Sequence, residues 1–191
     1  MSTPRIIGGT ARGIHLQDVP GNITRPITDR VKENLFNIIA ASVPESTWLD
    51  LFGGTGSVGI EALSRGASFV RFNDLNFSAV MTMRKNIVLT KLEKNAEVIQ
   101  SDAFSLIRRK PDRFFDFIYV APPQYKELWE QIMTELDQNP TWLKQEGEII
   151  VQIDPVEYKA LNLNHFSEFD KRKYGNTILI FYEFNPSESI N

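Results

Sequence analysis

Residues 48–63 decide the fold and read Trp48-Leu49-Asp50-Leu51-Phe52-Gly53-Gly54-Thr55-Gly56-Ser57-Val58-Gly59-Ile60-Glu61-Ala62-Leu63. The stretch begins apolar and β-prone, breaks at Gly53-Gly54, and continues with Ile60 and Leu63 at helical spacing. This order predicts a strand, a glycine turn and a helix. Glu61 and Arg65 form an i,i+4 pair on the opposite face of this expected helix. Glycines allow backbone N–H groups to approach a ligand closely, and a helix N-terminus favours negative charge. A tight turn with no ligand would show the same pattern.

The spacing from Asp50 is acidic-x-x-Gly-x-x-Gly, with glycines at positions 53 and 56. A P-loop requires a Lys after its last glycine, and none follows Gly56. A dinucleotide fingerprint requires Gly-x-Gly-x-x-Gly, a spacing that Gly54, Gly56 and Gly59 also have. The acid at Asp50, three residues before the first glycine, is the feature that predicts a ligand site of another kind.

The composition is ordinary for a globular protein and narrows the possible chemistry. The chain has 191 residues, no cysteine, two histidines and a net charge of −3. We expect one domain, no disulfide and no metal site, and we expect a cytoplasmic protein. No apolar run is long enough to span a membrane. The net charge argues against nucleic-acid binding by bulk charge, although a local basic face remains compatible.

Strand and helix patterns alternate after the glycine turn. The expected strands are 69–73, 97–100, 115–120 and 147–153, and the clearest helices are 78–89 and 126–136. Residues 166–173 and 177–184 flank Gly175-Asn176, a favourable hairpin turn. The pattern predicts an α/β fold whose mostly parallel sheet gains one antiparallel strand at its edge.

The N-terminal segment differs from this alternation. Residues 5–18 predict a hairpin-like arm, and Thr28 or Asp29 is expected to cap a helix. We therefore divide the chain into an arm and helix (1–44), a main domain (45–185) and a tail (186–191). Residues 1–44 carry five Lys and Arg against three Asp and Glu, in a chain that is otherwise acidic. The five cations are Arg5, Arg12, Arg25, Arg30 and Lys32.

Polar residues follow three successive strands at the edge where parallel sheets bind ligands. Asp74 ends the second strand, Asp102 ends the third, and Ala121-Pro122-Pro123-Gln124 follows the fourth. Asp74 is placed to accept both hydroxyls of a ribose, and Asp102 could accept from an exocyclic amine. Each acid alone could equally be a helix N-cap or a solvated loop residue. Together they predict a nucleoside-bearing ligand.

These residues resemble those of class I S-adenosylmethionine-dependent methyltransferases. The resemblance rests on Asp-Leu-Phe-Gly-Gly-Thr-Gly from Asp50, then Asp74, then Ser101-Asp102-Ala103, then the Pro-Pro turn. The Arg-Ile-Ile-Gly-Gly start, the stretch 24–37 and Glu61-Ala62-Leu63-Ser64-Arg65-Gly66-Ala67 are similar to the RsmD-like bacterial ribosomal RNA (guanine-N2)-methyltransferase family. Within 24–37, Arg-Pro-x-Thr-Asp-Arg-Val is the most specific part. The resemblance covers nearly the whole chain.

The resemblance implies a Rossmann-like seven-stranded sheet, the cofactor S-adenosylmethionine without a metal, and methyl transfer to a guanine in small-subunit (16S) ribosomal RNA. It implies that the RNA, or a small-subunit assembly particle, is the partner of a monomer that does not bind membranes. The implied cofactor residues are Asp50, Phe52, Gly53, Gly54, Thr55, Gly56, Asp74, Leu75, Asp102 and Ala103. The implied RNA contacts are Arg5, Arg12, Arg25, Arg30 and Lys32.

The implied catalytic turn, residues 121–125, departs from the family pattern. Family members have Asp or Asn, then Pro-Pro, then Tyr or Phe, where this chain has Ala121, Pro122, Pro123, Gln124 and then Tyr125. In the family, the first side chain and a proline carbonyl accept hydrogen bonds from the target amine, and the aromatic ring stacks on the base. Gln124, Tyr125 and the Pro122 carbonyl could compensate.

Two other functions remain open from the sequence. The chain could be a catalytically silent protein that binds S-adenosylmethionine or RNA, because Ala121 has no accepting side chain. It could also methylate a small molecule or a protein, which an arm without a basic surface would favour.

Overall fold

The computed structural model describes residues 3–21, 27–124 and 127–185. Each of its strands and helices has a counterpart in the sequence pattern. The helices are α1 (Asp29–Ile38), α2 (Ser57–Ser64), α3 (Phe77–Thr90), α4 (Ala103–Ile107) and α5 (Leu128–Gln138). The strands are β1 (Thr47–Asp50), β2 (Phe69–Asp74), β3 (Ala96–Gln100), β4 (Phe115–Val120), β5 (Leu143–Ile153), β6 (Phe166–Tyr174) and β7 (Thr177–Phe184).

The strands form one seven-stranded sheet in the order β3-β2-β1-β4-β5-β7-β6. Neighbours among β1 to β5 pair in parallel, and β7 pairs antiparallel with both β5 and β6. The predicted α/β class, with a mostly parallel Rossmann-like sheet, is confirmed. One detail differs, since the antiparallel strand β7 lies between β5 and β6 and not at the edge. The strand order reverses between β1 and β4, which places a ligand crevice beyond their carboxyl ends.

The sheet separates two hydrophobic cores because alternate residues of each strand face opposite sides. On β4, Phe117 and Tyr119 face a first core shared with α1, α2 and α3, whereas Ile118 and Val120 face a second core shared with α4 and α5. On α1, Phe36 is buried in the first core, whereas Ile38 is exposed. The result is a three-layer α/β/α arrangement.

The N-terminal arm is only partly the expected hairpin. Its two limbs meet in one isolated bridge between Arg5 and His15, with a backbone hydrogen bond of 3.0 Å from Ile6 to Ile14. Ile6 and Leu16 are buried in the first core. The arm therefore packs as part of the main body, while the division at residue 44 stays a prediction. The predicted tail, 186–191, lies outside the described residues.

Helix α1 begins as predicted, because the Thr28 side chain accepts a hydrogen bond from the Val31 backbone N–H. Across the three ranges that the structure describes, no helix is both long and apolar enough to cross a membrane.

Candidate active site

The glycine turn after β1 is fixed by its own backbone and by β2. The Gly53 N–H donates to the Asn73 carbonyl at 2.8 Å, and the Gly56 N–H donates to the Gly53 carbonyl at 2.7 Å. Gly56 precedes α2 with a φ of 79°, which few residues with a side chain adopt. One turn later, a Cβ on Gly59 would lie 2.3 Å from the Phe72 ring. Glycine at both positions lets α2 start sharply and pack closely on β2.

Asp74 connects the end of β2 to this turn. Its Oδ2 accepts from the Gly54 N–H at 2.9 Å, and its Oδ1 accepts from the Asn76 N–H at 2.8 Å. The next residue, Leu75, is 64% exposed. A half-buried carboxylate beside a glycine turn and an exposed apolar side chain form a surface suited to a ribose and a base.

Asp50 supplies a second carboxylate, at the end of β1, and it is buried. Its Oδ1 has no hydrogen-bond partner among the described residues. Burial raises the pKa of Asp50 to about 7, the charge of Asp74 adds to the rise, and the backbone N–H groups of Gly59 and Phe52 oppose it. A buried carboxylate with one oxygen that lacks a hydrogen-bond partner fits a cationic ligand, such as the amino group of S-adenosylmethionine.

Asp102 caps a helix, which is the alternative to ligand binding that its position in the sequence allowed. It is the N-cap of α4, and its Oδ1 accepts from the Ser105 N–H at 2.8 Å. The side chain remains half-buried beyond the end of β3, next to the buried Ala103. Its contact with a cofactor base stays a prediction, as do those of Phe52, which is half-buried, and Thr55, which is buried.

The Pro-Pro turn leaves β4 beside the glycine turn, because β4 pairs with β1 up to Asp50 and Tyr119. Ala121 is half-buried against the first core, Pro122 is buried and Gln124 is half-buried. Pro123 is exposed. The predicted aromatic contact, Tyr125, lies outside the described residues. The structure therefore places the predicted substrate turn and cofactor turn on neighbouring strands.

Lys32 is not a phosphate contact, and its assignment to RNA binding is wrong. The side chain is fully buried, and its Nζ donates to the Arg5 carbonyl and to the Ser57 hydroxyl, both at 2.7 Å. It also lies 3.4 Å from Glu61. Burial lowers the pKa of Lys32, and the charge of Glu61 opposes this fall. Lys32 thus ties α1 and the arm to the first residue of α2.

Glu61 is the centre of this buried network, and the sequence patterns did not indicate that role. Its carboxylate accepts from the Ile7 and Gly8 N–H groups, each at 2.8 Å, and from Arg65 at 2.7 Å. The helical spacing of Glu61 and Arg65 predicted only an exposed pair on α2, whereas Glu61 is 0% exposed. The Ser64 hydroxyl adds an acceptor for the Ala11 N–H at 2.9 Å.

Asn86 on α3 also binds the backbone of the glycine turn, and the sequence patterns did not indicate this role either. Its Nδ2 donates to the Thr55 carbonyl at 2.8 Å and to the Gln17 carbonyl at 3.0 Å. Its Oδ1 accepts from the Gln17 N–H at 2.8 Å. One buried amide therefore links the arm to the turn. No sequence pattern pairs residues so far apart.

The side chains of the other proposed RNA contacts differ in their exposure and in whether they form an ion pair. Arg12 and Arg30 are exposed. The Arg5 side chain is half exposed and pairs with Asp29 at 3.3 Å. Arg25 lies outside the described residues. Where the structure is described, no cluster of His, Cys, Asp and Glu could hold a metal ion.

Comparison with known proteins agrees with this architecture. The family model described as "Conserved hypothetical protein 95" matches residues 4–183. YlbH of Bacillus subtilis is 33% identical over 181 residues, covering 94% of this chain and 98% of YlbH. "Ribosomal RNA small subunit methyltransferase D" of Escherichia coli is 37% identical over 150 residues, covering 78% of this chain and 73% of that protein. The solved structure of yhhF from Escherichia coli has a TM-score of 0.84 at 31% identity, covering 95% of this chain and 97% of that one.

Proposed function

The chain belongs to the RsmD-like methyltransferase family, whose model is described as "Conserved hypothetical protein 95", and we propose that it transfers a methyl group from S-adenosylmethionine to the exocyclic N2 of a guanine in small-subunit ribosomal RNA. The observation that carries this proposal is the meeting of two carboxylates and a glycine turn at the reversal of strand order. Asp74 contacts the turn through Gly54, and Asp50 has a buried oxygen without a described partner.

The cofactor-binding part of the proposal follows from the chemistry of these groups. Asp74 would exchange its contact with Gly54 for ribose hydroxyls, and Asp50 would face the cationic end of the cofactor. When bound, S-adenosylmethionine supplies a methyl group already activated on a sulfonium sulfur, so the protein mainly positions the acceptor. The Pro122 carbonyl would accept a hydrogen bond from the target amine.

The RNA part of the proposal rests on the relatives and on the surface. The Escherichia coli relative is named for the small-subunit ribosomal RNA. The exposed Arg12 and Arg30 give the N-terminal region cations that can reach phosphates. Asp18 and Glu33 are exposed in the same region, so the names of the relatives, more than a net basic surface, favour RNA over a small molecule or a protein as the substrate.

A silent binding protein is the second candidate, and Ala121 is the observation that favours it. An alanine cannot accept a hydrogen bond from the target amine through its side chain. Loss of one such preorganised partner costs about 2.7–4 kcal/mol of barrier in other enzymes. A cost of this size slows transfer without abolishing it, so we retain catalysis as the first candidate.

The test is transfer of labelled methyl groups from S-adenosylmethionine to ribosomal RNA of a strain lacking this protein. Naked RNA and purified small-subunit particles are assayed separately, and the labelled nucleotide is mapped and identified. We expect label on one guanine N2. Cofactor binding without transfer to either substrate would instead support the silent protein, and label only on a non-RNA fraction would overturn the RNA assignment.

A further inference from the structure

We infer that Gln152 supplies the side-chain acceptor that position 121 lacks, so that its amide oxygen accepts a hydrogen bond from the target amine. This inference rests on the proposed function and deepens it. It assigns a catalytic role to a residue of β5, outside the Pro-Pro turn.

Strand register places Gln152 beside Ala121. In the parallel pairing of β4 and β5, Tyr119 is opposite Ile150 and Val120 is opposite Val151. Continuing this register by one residue sets Ala121, the first residue after β4, opposite Gln152. Ile150 faces the first core, and strand alternation directs Gln152 to that same face, where Ala121 also packs.

A hydrogen bond fixes the end of the Gln152 side chain. The Tyr119 hydroxyl donates to the Gln152 Oε1 across the two strands. Burial raises the pKa of Tyr119 well above its usual value, and the charge of Asp50 adds to this rise. The hydroxyl therefore keeps its proton and remains a donor. An amide oxygen has two lone pairs, so one stays free for a second donor.

The three side chains form a polar row across neighbouring strands, from the end of β1 across β4 to the end of β5. Asp50 on β1 is directly opposite Tyr119 on β4, and Tyr119 reaches Gln152 on β5. The rest of this part of the sheet is apolar, with Trp48, Phe117 and Ile150 at 0–2% exposure. The hydrogen bond to Tyr119 therefore fixes the amide of a half-buried glutamine at the carboxyl end of β5, one strand away from the Pro-Pro turn.

The sizes of the two residues are complementary. Neighbouring strands lie about 4.7–4.9 Å apart, a distance that a glutamine side chain can cover. An alanine at position 121 ends at its methyl group, so it takes less room beside that amide than the Asp or Asn of the family would. A larger side chain at 121 would compete for this space.

The proposed step needs no general base. The lone pair of the guanine amine forms the N–C bond to the methyl carbon, and the cofactor sulfur keeps the electron pair of the broken S–C bond. Gln152 Oε1 and the Pro122 carbonyl accept from the two N–H groups and aim the lone pair. The extra proton then leaves the methylated nitrogen to water.

The test compares steady-state transfer by Gln152→Leu, Gln152→Glu and the wild type. Gln145→Leu is the matched control, because Gln145 lies on the same strand and is exposed. Binding of S-adenosylhomocysteine and thermal unfolding are measured for every variant. If Gln152→Leu does not fold, Gln152→Ser replaces it, since serine keeps a polar group but withdraws it from the turn.

We expect Gln152→Leu to lower kcat by about 100-fold or more, with the KM for RNA and cofactor affinity within about threefold of the wild type. Gln152→Glu should retain transfer because a carboxylate also accepts, and Ala121→Asn should restore part of the rate in the Gln152→Leu background. A kcat for Gln152→Leu within about threefold of the wild type would overturn the inference alone. No transfer by the wild type would overturn the proposed function and this inference with it.

Discussion

The turns after β1 and β4 are neighbours in the sheet but are built in opposite ways. The glycine turn is held by polar groups from other elements, through the Asn73 carbonyl, the Asp74 carboxylate and the Asn86 amide. The Pro-Pro turn contains two residues without an N–H donor and, at Ala121, a side chain without an acceptor. Under the proposed function, the cofactor would bind to a backbone that other elements hold in place, whereas the target amine would be oriented by a side chain of the neighbouring strand β5.

The largest expected effect is that of Glu61→Leu, which removes the centre of the buried network that joins the arm and α1 to α2, next to the glycine turn. The change leaves the Lys32 ammonium buried without its anion and two arm N–H groups without their acceptor. We expect a loss of about 3–5 kcal/mol in the free energy of unfolding, measured by urea denaturation. Glu33→Gln, on the exposed side of α1, is the control and should change little. A loss no larger than that of the control would show that the network does not stabilise the turn.

Asp74→Ala tests the glycine turn from the ligand side. It removes a charged acceptor for ribose hydroxyls, a contact worth about 1.5–3 kcal/mol, so affinity for S-adenosylhomocysteine should fall by about 10- to 100-fold. Isothermal calorimetry measures this, with Asp18→Ala, an exposed acid of the arm, as control. Unchanged affinity would remove Asp74 from the cofactor site. Since Asp74 also accepts from Gly54, thermal unfolding checks that the turn is intact.

Gln124→Ala tests the Pro-Pro turn itself. If Gln124 assists the target amine, kcat should fall by about tenfold while cofactor affinity is unchanged, the signature of an interaction made only in the transition state. The control is Gln131→Ala on the exposed side of α5, compared in the same transfer assay. A rate equal to that of the control would exclude Gln124 and leave Gln152 and the Pro122 carbonyl as the acceptors.

The smallest effect is expected from the pH dependence of Asp50, which lies between the two turns. Its pKa is raised to about 7, so the carboxyl is mostly protonated below that value and mostly ionised above it. Affinity for S-adenosylhomocysteine, which carries a cationic amino group, should therefore rise by about fivefold from about pH 6 to about pH 8. Asp50→Asn should lose this rise, while titration of the ligand itself affects both proteins equally. Parallel pH profiles for the two would contradict the assignment.

The sequence predicted the fold well because its signals were local. Apolar runs, glycine turns and caps each lie within a few residues, and β–α alternation then implies a parallel sheet. One boundary failed for a local reason. Strand β5 begins at Leu143 and not at Gly147, since Lys144, Gln145 and Glu146 interrupt the apolar pattern on an exposed stretch.

The site was predicted less completely because its supporting contacts join distant residues. Lys32 looked like a free cation since its anion, Glu61, lies on another helix. Glu61 looked like half of an exposed helix pair, because the arm that covers it comes from far upstream. The sequence did not indicate a role for Gln152, because its position relative to Ala121 depends on the register between β4 and β5. Helical or strand periodicity contains none of this information.

The insertion of β7 between β5 and β6 sets a constraint on how this protein is made. During synthesis, β6 emerges before β7, the strand with which it pairs, and β5 keeps one edge open for the same reason. An open edge beside the apolar Ile149, Ile150 and Val151 can pair with other chains. A product interrupted before Thr177 would expose that edge permanently. Chains that end prematurely should therefore aggregate, and not merely be inactive. Chaperones should be needed less once β7 has paired with β5 and β6.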